Sequence, residues 1–132
     1  MELYSILGWI NFFLVLLSLS YFFIKFIYKK VAFKSKDSKE KFRNFIKFIS
    51  KIHRVQGIII IIIASIHAYL IFETIFYWHT GLVLLLAIIF NLIIFLLGQF
   101  KIIKKWLTFH KITALIIFVF LLLHIINPWL FG

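Results

Sequence analysis

A chain of 132 residues that is 64% hydrophobic and 20% aromatic has no room for a water-soluble domain beside its apolar segments, and we expect an integral membrane protein. Fifteen Lys and Arg against four Asp and Glu give a formal net charge of +11; these cations cluster between apolar runs, which reads as a topology signal and sets nucleic-acid binding aside. The absence of cysteine excludes an iron–sulfur cluster or a C-x-x-C-H attachment motif on this chain.

Four stretches qualify as spans, roughly 5–28, 45–73, 81–100 and 106–127, each near the ~20 apolar residues that a bilayer requires. The sequence therefore predicts an all-α, integral membrane four-helix bundle, one domain over residues 1–132. The first span lacks a basic leading region and a small-residue cleavage site, so it reads as a retained helix and not a signal peptide. Asn11 in this span and Asn91 in the third are expected to bridge helices by hydrogen bonds.

Between the first two spans lies a basic segment, 29–44. From Tyr28 to Arg54 the chain carries Lys29, Lys30, Lys34, Lys36, Lys39, Lys41, Arg43, Lys47 and Lys51, and Lys101, Lys104 and Lys105 join spans three and four. Both connections should be cytoplasmic, with both termini outside, as in a prokaryotic plasma membrane. Asp37 and Glu40 stand at capping-box spacing, which predicts that the second helix starts near Ser38, with its first turns at the inner membrane surface. A solvated membrane anchor accounts for this segment; a docking face for an acidic redox partner is the alternative. The third connection, Phe72 to Gly81, has no basic residue and contains Tyr77, Trp78 and His79. The two aromatics suit an interfacial belt, and His79 reads as an interfacial polar residue beside them. Its other readings are a propionate partner, a proton carrier at a quinone pocket, or a ligand for an outer acceptor. Pro128 is expected to stop the last helix.

The remaining histidines form two pairs with one spacing. His53 and His67 are fourteen residues apart, as are His110 and His124. Fourteen residues are close to four helical turns, so each pair shares a face, with its two rings about 21 Å apart along the axis. That is too far to hold one ion but suits two stacked cofactors. The second and fourth spans also repeat at an offset of 57: His53-Arg54-Val55-Gln56-Gly57 lies over His110-Lys111-Ile112-Thr113-Ala114, and Lys47 over Lys104. With one span between them these helices run parallel, which sets His53 level with His110 and His67 with His124. Each level then offers two axial ligands for one haem iron. Gly57 and Ala114, four residues beyond the first histidines, and later Ala64 and Ser65, are small enough to let a flat macrocycle approach. Arg54 and Lys111 follow the first histidines and could meet haem propionates. Structural histidines are one alternative, although ionisable groups inside a membrane are seldom present without function. A non-redox, His-lined channel or transporter for protons or for Zn or Cu is another, but for a metal each level lacks the Cys, Asp or Glu that would complete a tetrahedral site.

The paired H-x13-H on parallel helices resembles the haem-bearing core of respiratory cytochrome b. The wording HRVQG…SIHAYL with WLTFHKITA…LLLHIIN is similar to the transmembrane domain of ferric reductases and NADPH oxidases. The similarity covers helices two to four. It implies two non-covalent haem b groups, with His53, His67, His110 and His124 as axial ligands and transmembrane electron transfer from a cytoplasmic-side donor to an outer acceptor. Ferric reductases usually have six spans and often a cytosolic flavin and nicotinamide domain; here there are four spans and no G-x-G-x-x-G, so the redox partner must be another molecule, a flavoprotein or a quinone. The alternative function is a quinone-reactive cytochrome b anchor for partner subunits of a dehydrogenase or hydrogenase.

The charge asymmetry generates one prediction. Cysteines introduced between residues 29 and 41 should react with impermeant reagents only from the cytoplasmic side, and cysteines near Thr74 or Gly132 only from outside. The reverse pattern in spheroplasts and inverted vesicles would invert the assigned orientation.

Overall fold

The structure, a computed structural model, describes residues 2–31, 35–73, 76 and 78–130. Four helices make up the fold: α1 (Leu3–Lys30), α2 (Lys36–Phe72), α3 (Thr80–Gln99) and α4 (Trp106–Ile126). Each is long and apolar enough to cross a membrane. Hydrocarbon offers no partner for backbone N–H and C=O groups, so these Leu-, Ile- and Phe-rich runs must satisfy them within the segment, and the single proline, Pro128, lies beyond the last helix. Lys34, Thr74, Tyr77 and Gly132, named above, lie outside the described residues.

The basic segment 29–44 is mostly helix, not loop. Lys29 and Lys30 close α1, and α2 begins at Lys36. Ser35 supplies the N-cap, its hydroxyl accepting from the Ser38 N–H at 3.1 Å. Asp37 and Glu40 form no capping box; they pair along the helix with Lys41 (2.8 Å) and Arg43 (3.2 Å). Tyr28 stacks on Phe42 with centroids 5.5 Å apart, fastening the two helix ends together. With 37 residues α2 is about 55 Å long, far beyond a ~30 Å hydrocarbon core. Its exposed apolar stripe runs from Phe45 through Phe48, Ile52, Val55, Ile59, Ile62 and Ile66 to Tyr69, about 36 Å, so the turns before Phe45 project past the bilayer.

α1 packs along α2 and α3 along α4, with lesser contact between α2 and α3 and between α1 and α4. Among the described residues no Cα of α2 comes within 8 Å of one in α4. The two histidine-bearing helices therefore occupy one diagonal of the bundle and run parallel with the interior between them. Halfway along, Val15, Ile60, Leu84, Ile88, Ile117 and Leu121 close that interior as the buried core. Gln56, also buried, donates from Nε2 to the Leu14 carbonyl at 2.8 Å and ties α2 to α1.

Between α3 and α4 the chain reverses through Lys101, whose φ of 60° lies in the left-handed region, and the Ile102 N–H returns to the Leu97 carbonyl at 2.9 Å. Trp106 folds back onto Gly98, where an added Cβ would stand 2.7 Å from the Trp106 Cβ and inside its ring contact. Substituting Gly98→Ala should destabilise the fold by about 1–3 kcal/mol through overpacking, read as a lower midpoint in thermal unfolding in detergent. An unchanged midpoint would show that the Trp106 ring moves aside without cost.

Candidate functional site

Two cavities lie along the bundle, one on either side of the apolar core. The inner one, about 110 Å³, is lined by His53 and His110 together with Gly57, Ala114, Arg54 and Asn91. The outer one, about 490 Å³, is lined by His67 and His124 together with Gly8, Ala64, His79 and Gly81. The structure thus brings the four histidines together as two levels, inner and outer.

At the inner level the His53 and His110 ring centroids are 6.2 Å apart, edge to face. His110 donates from Nδ1 to the Asn91 carbonyl over a long 3.4 Å, with Phe95 and Trp106 packed around its ring. His53 leans on Tyr21 (5.2 Å), and the Lys25 ammonium lies 4.6 Å above the Tyr21 ring. The His53 Nδ1 is buried without a hydrogen-bond partner among the described residues, as are Ser18 Oγ, Tyr21 Oη and Asn91 Oδ1. An added Cβ on Gly57 would meet nothing within 4 Å, so the wall of α2 is open there toward the cavity.

At the outer level the rings are held more firmly. His67 donates from Nδ1 to the Tyr4 carbonyl at 2.7 Å, and Gly8 on α1 lets the ring approach so closely that a Cβ there would stand 3.0 Å from His67 Cε1. His124 Nδ1 lies 2.9 Å from Thr80 Oγ1, beside Gly81, where a Cβ would stand 2.9 Å from His124 Cε1. A carbonyl cannot donate, so in His67 and His110 the Nδ1 carries the proton and Nε2 keeps its lone pair, the tautomer that ligates a metal through Nε2.

The structure refines or corrects four readings. His79 is not an exposed polar group beside the aromatics: it is buried, 4% exposed, and caps α3, its Nδ1 accepting from the Gly81 and Leu82 N–H groups at 2.8 and 3.2 Å. Burial, and secondarily the nearby His67, hold its pKa below the usual histidine value, which keeps that acceptor nitrogen free of a proton. Asn11 and Asn91 do not bridge helices through their side-chain oxygens; both Oδ1 atoms are buried without a partner among the described residues, Asn91 on the inner cavity and Asn11 on the outer. Lys111 points away from the inner cavity, its ammonium 5.6 Å above the Phe22 ring on α1, whereas Arg54 lines the cavity. Of the two later small residues, Ala64 lines the outer cavity, while Ser65 turns back to the Ile61 carbonyl at 2.9 Å.

Lys25, Tyr21, Thr80, Gly8 and Gly81 were missed by reasoning from sequence. Gly8 and Gly81 had a faint signal, as small residues near the ends of otherwise bulky spans. Among the described residues no group of three His, Cys, Asp or Glu side chains converges to hold a metal ion. No protein-family model, curated protein or solved structure matches the chain.

The cap on α3 is open to test. Replacing His79 with Ala should cost about 1 kcal/mol and speed amide exchange at Gly81 and Leu82, whereas His79→Asn should preserve protection because its carbonyl oxygen can accept the same bonds. Wild-type exchange rates at both amides in His79→Ala would show that the imidazole does not carry the cap.

Proposed function

We propose that this protein is a membrane-embedded dihaem b-type cytochrome that transfers electrons between the two faces of the bilayer. The observation that carries the reading is the arrangement of four histidines as two levels across one diagonal of the bundle, inner and outer, on either side of an apolar core. Two imidazoles per level suit a group that brings most of its own iron ligands, so that the protein would need to supply only the two histidines of each level. The outer cavity, about 490 Å³, is of the size that buried cofactors occupy. The inner one, about 110 Å³, admits such a group only when its walls part, and the open face of Gly57 and the small Ala114 are where a flat ring would enter.

His53 and His110 would hold one haem, and His67 and His124 the other. When bound, these groups supply one-electron oxidation and reduction at iron. The chain's own work is to hold and insulate. The carbonyls of Tyr4 and Asn91 keep the proton of His67 and His110 on Nδ1, which orients each ring and raises the basicity of Nε2. Val15, Ile60, Leu84, Ile88, Ile117 and Leu121 exclude water between the levels. Arg54 at the inner cavity, with Lys25 above Tyr21, offers cationic partners for carboxylates at that end. By the positive-inside rule this end is cytoplasmic, so a soluble flavoprotein or a quinol would meet the inner level and an acceptor the outer one.

Purification and a pyridine haemochrome assay test the proposal. The chain should carry two b haems; His53→Ala or His110→Ala should remove one, and His67→Ala or His124→Ala the other. A haem content of zero in protein expressed with an ample haem supply, or loss of the same haem in all four variants, would refute it.

A further inference from the structure

His124 and the start of α3 share a hydrogen-bond arrangement that the proposed ligation does not by itself explain. Thr80 has no exposed surface, and it touches both α4, at His124, and the chain just beyond α4, at Pro128. Its backbone N–H donates to the Pro128 carbonyl at 3.1 Å, and its hydroxyl lies 2.8 Å from that same oxygen and 2.9 Å from His124 Nδ1. A hydroxyl has one proton to give. Two oxygens 2.8 Å apart with no proton between them would repel, so the Thr80 proton is committed to Pro128. The hydroxyl can then only accept from His124, which forces the imidazole proton onto Nδ1 and leaves the lone pair on Nε2.

We infer that Thr80 is the positioning residue of the outer site, using the Pro128 carbonyl to lock its hydroxyl as an acceptor and thereby presenting His124 through Nε2. The inference rests on the proposed haem ligation for its consequence but on the hydrogen-bond geometry for its substance. Pro128 has a role beyond stopping a helix: its carbonyl fixes the direction in which the hydroxyl of Thr80 points. His79, one residue earlier, holds α3's first N–H groups, so the backbone that carries Thr80 starts at a fixed place. Gly81, one residue later, leaves the room into which the His124 ring fits. Three consecutive residues, His79, Thr80 and Gly81, thus set the position, tautomer and clearance of one imidazole.

Thr80→Val tests this with little change of shape, because the backbone bond to Pro128 survives. Thr80→Ser restores the hydroxyl. In the full chain labelled with 15N-histidine in detergent, without added haem, the wild type and Thr80→Ser should show His124 as the Nδ1–H tautomer, and Thr80→Val should shift its two nitrogen resonances toward a tautomer mixture. Haem titration should show outer-site affinity reduced about 10–100-fold in Thr80→Val and rescued in Thr80→Ser, with the inner site unaffected. Unchanged His124 nitrogen shifts in Thr80→Val, or wild-type outer-site affinity despite altered shifts, would overturn the positioning role. Wild-type protein that takes up no haem would instead count against the proposed function, and the nitrogen shifts alone would then decide the role of Thr80.

Discussion

An imidazole surrounded by hydrocarbon has no water to take its N–H proton, so its partner must come from the chain itself or from a group the chain binds. The placement of three of the four paired histidines, His67, His110 and His124, follows from that constraint. Each neutral ring has one donor and one acceptor nitrogen. His67 and His110 give their protons to backbone carbonyls at Tyr4 and Asn91, and His124 gives its proton to a hydroxyl already committed elsewhere. What these rings retain is a lone pair on Nε2, beside a cavity. The polarity that makes these side chains expensive in a membrane is thus resolved on one side by α1 and α3, and held ready for a ligand on the other.

The diagonal arrangement makes this possible. Had α2 and α4 been neighbours in direct contact, their histidine faces would have packed on each other and left no interior. Here α1 and α3 act as the flanking pair, and they contribute the Nδ1 acceptors: Tyr4 from α1, Asn91 and Thr80 from α3. The helices that carry the paired histidines and the helices that orient them are therefore different elements, which lets the rings be fixed without filling the space between them. The core at mid-depth separates the two cavities with aliphatic side chains, and under the proposed function it would supply the low dielectric between the two haems.

Much of this was legible in the sequence, and the parts that were not share a cause. The spans could be read because bilayer thickness sets their length, and the histidine levels because helical periodicity and an offset of 57 place them. The start of α2 was displaced because Ser35 and Ser38 both suit an N-cap, and because Lys and Glu between them favour helix as readily as they suggest a charged loop. The capping role of His79 was not legible because the aromatics beside it suggested only a membrane-interface belt, and an imidazole capping a helix lies outside the usual Ser, Thr, Asp and Asn pattern. Thr80 finds its partners 44 and 48 residues away, and Gly8 meets His67 only through the register of α1 on α2. An apolar run such as α1 has no polar face to show which side meets which neighbour, so its register is set by packing and cannot be taken from periodicity.

The repeat between α2 and α4 implies two equivalent levels, yet the surroundings of the histidines are unequal. Gln56 reaches across to α1, whereas Thr113, its counterpart, turns back to the Phe109 carbonyl of its own helix. The outer rings have short Nδ1 bonds and glycines against them; the inner pair has one long bond at His110 and, among the described residues, none at the His53 Nδ1, in a cavity less than a quarter as large. Preorganised ligands bind with less ordering to be done, so under the proposed function the outer level is the better-built site and the inner one gains its form with its occupant. The unequal treatment follows from the helices that flank the pairs. The repeat duplicates α2 in α4, but α1 and α3 differ, and it is these two helices that hold Nδ1.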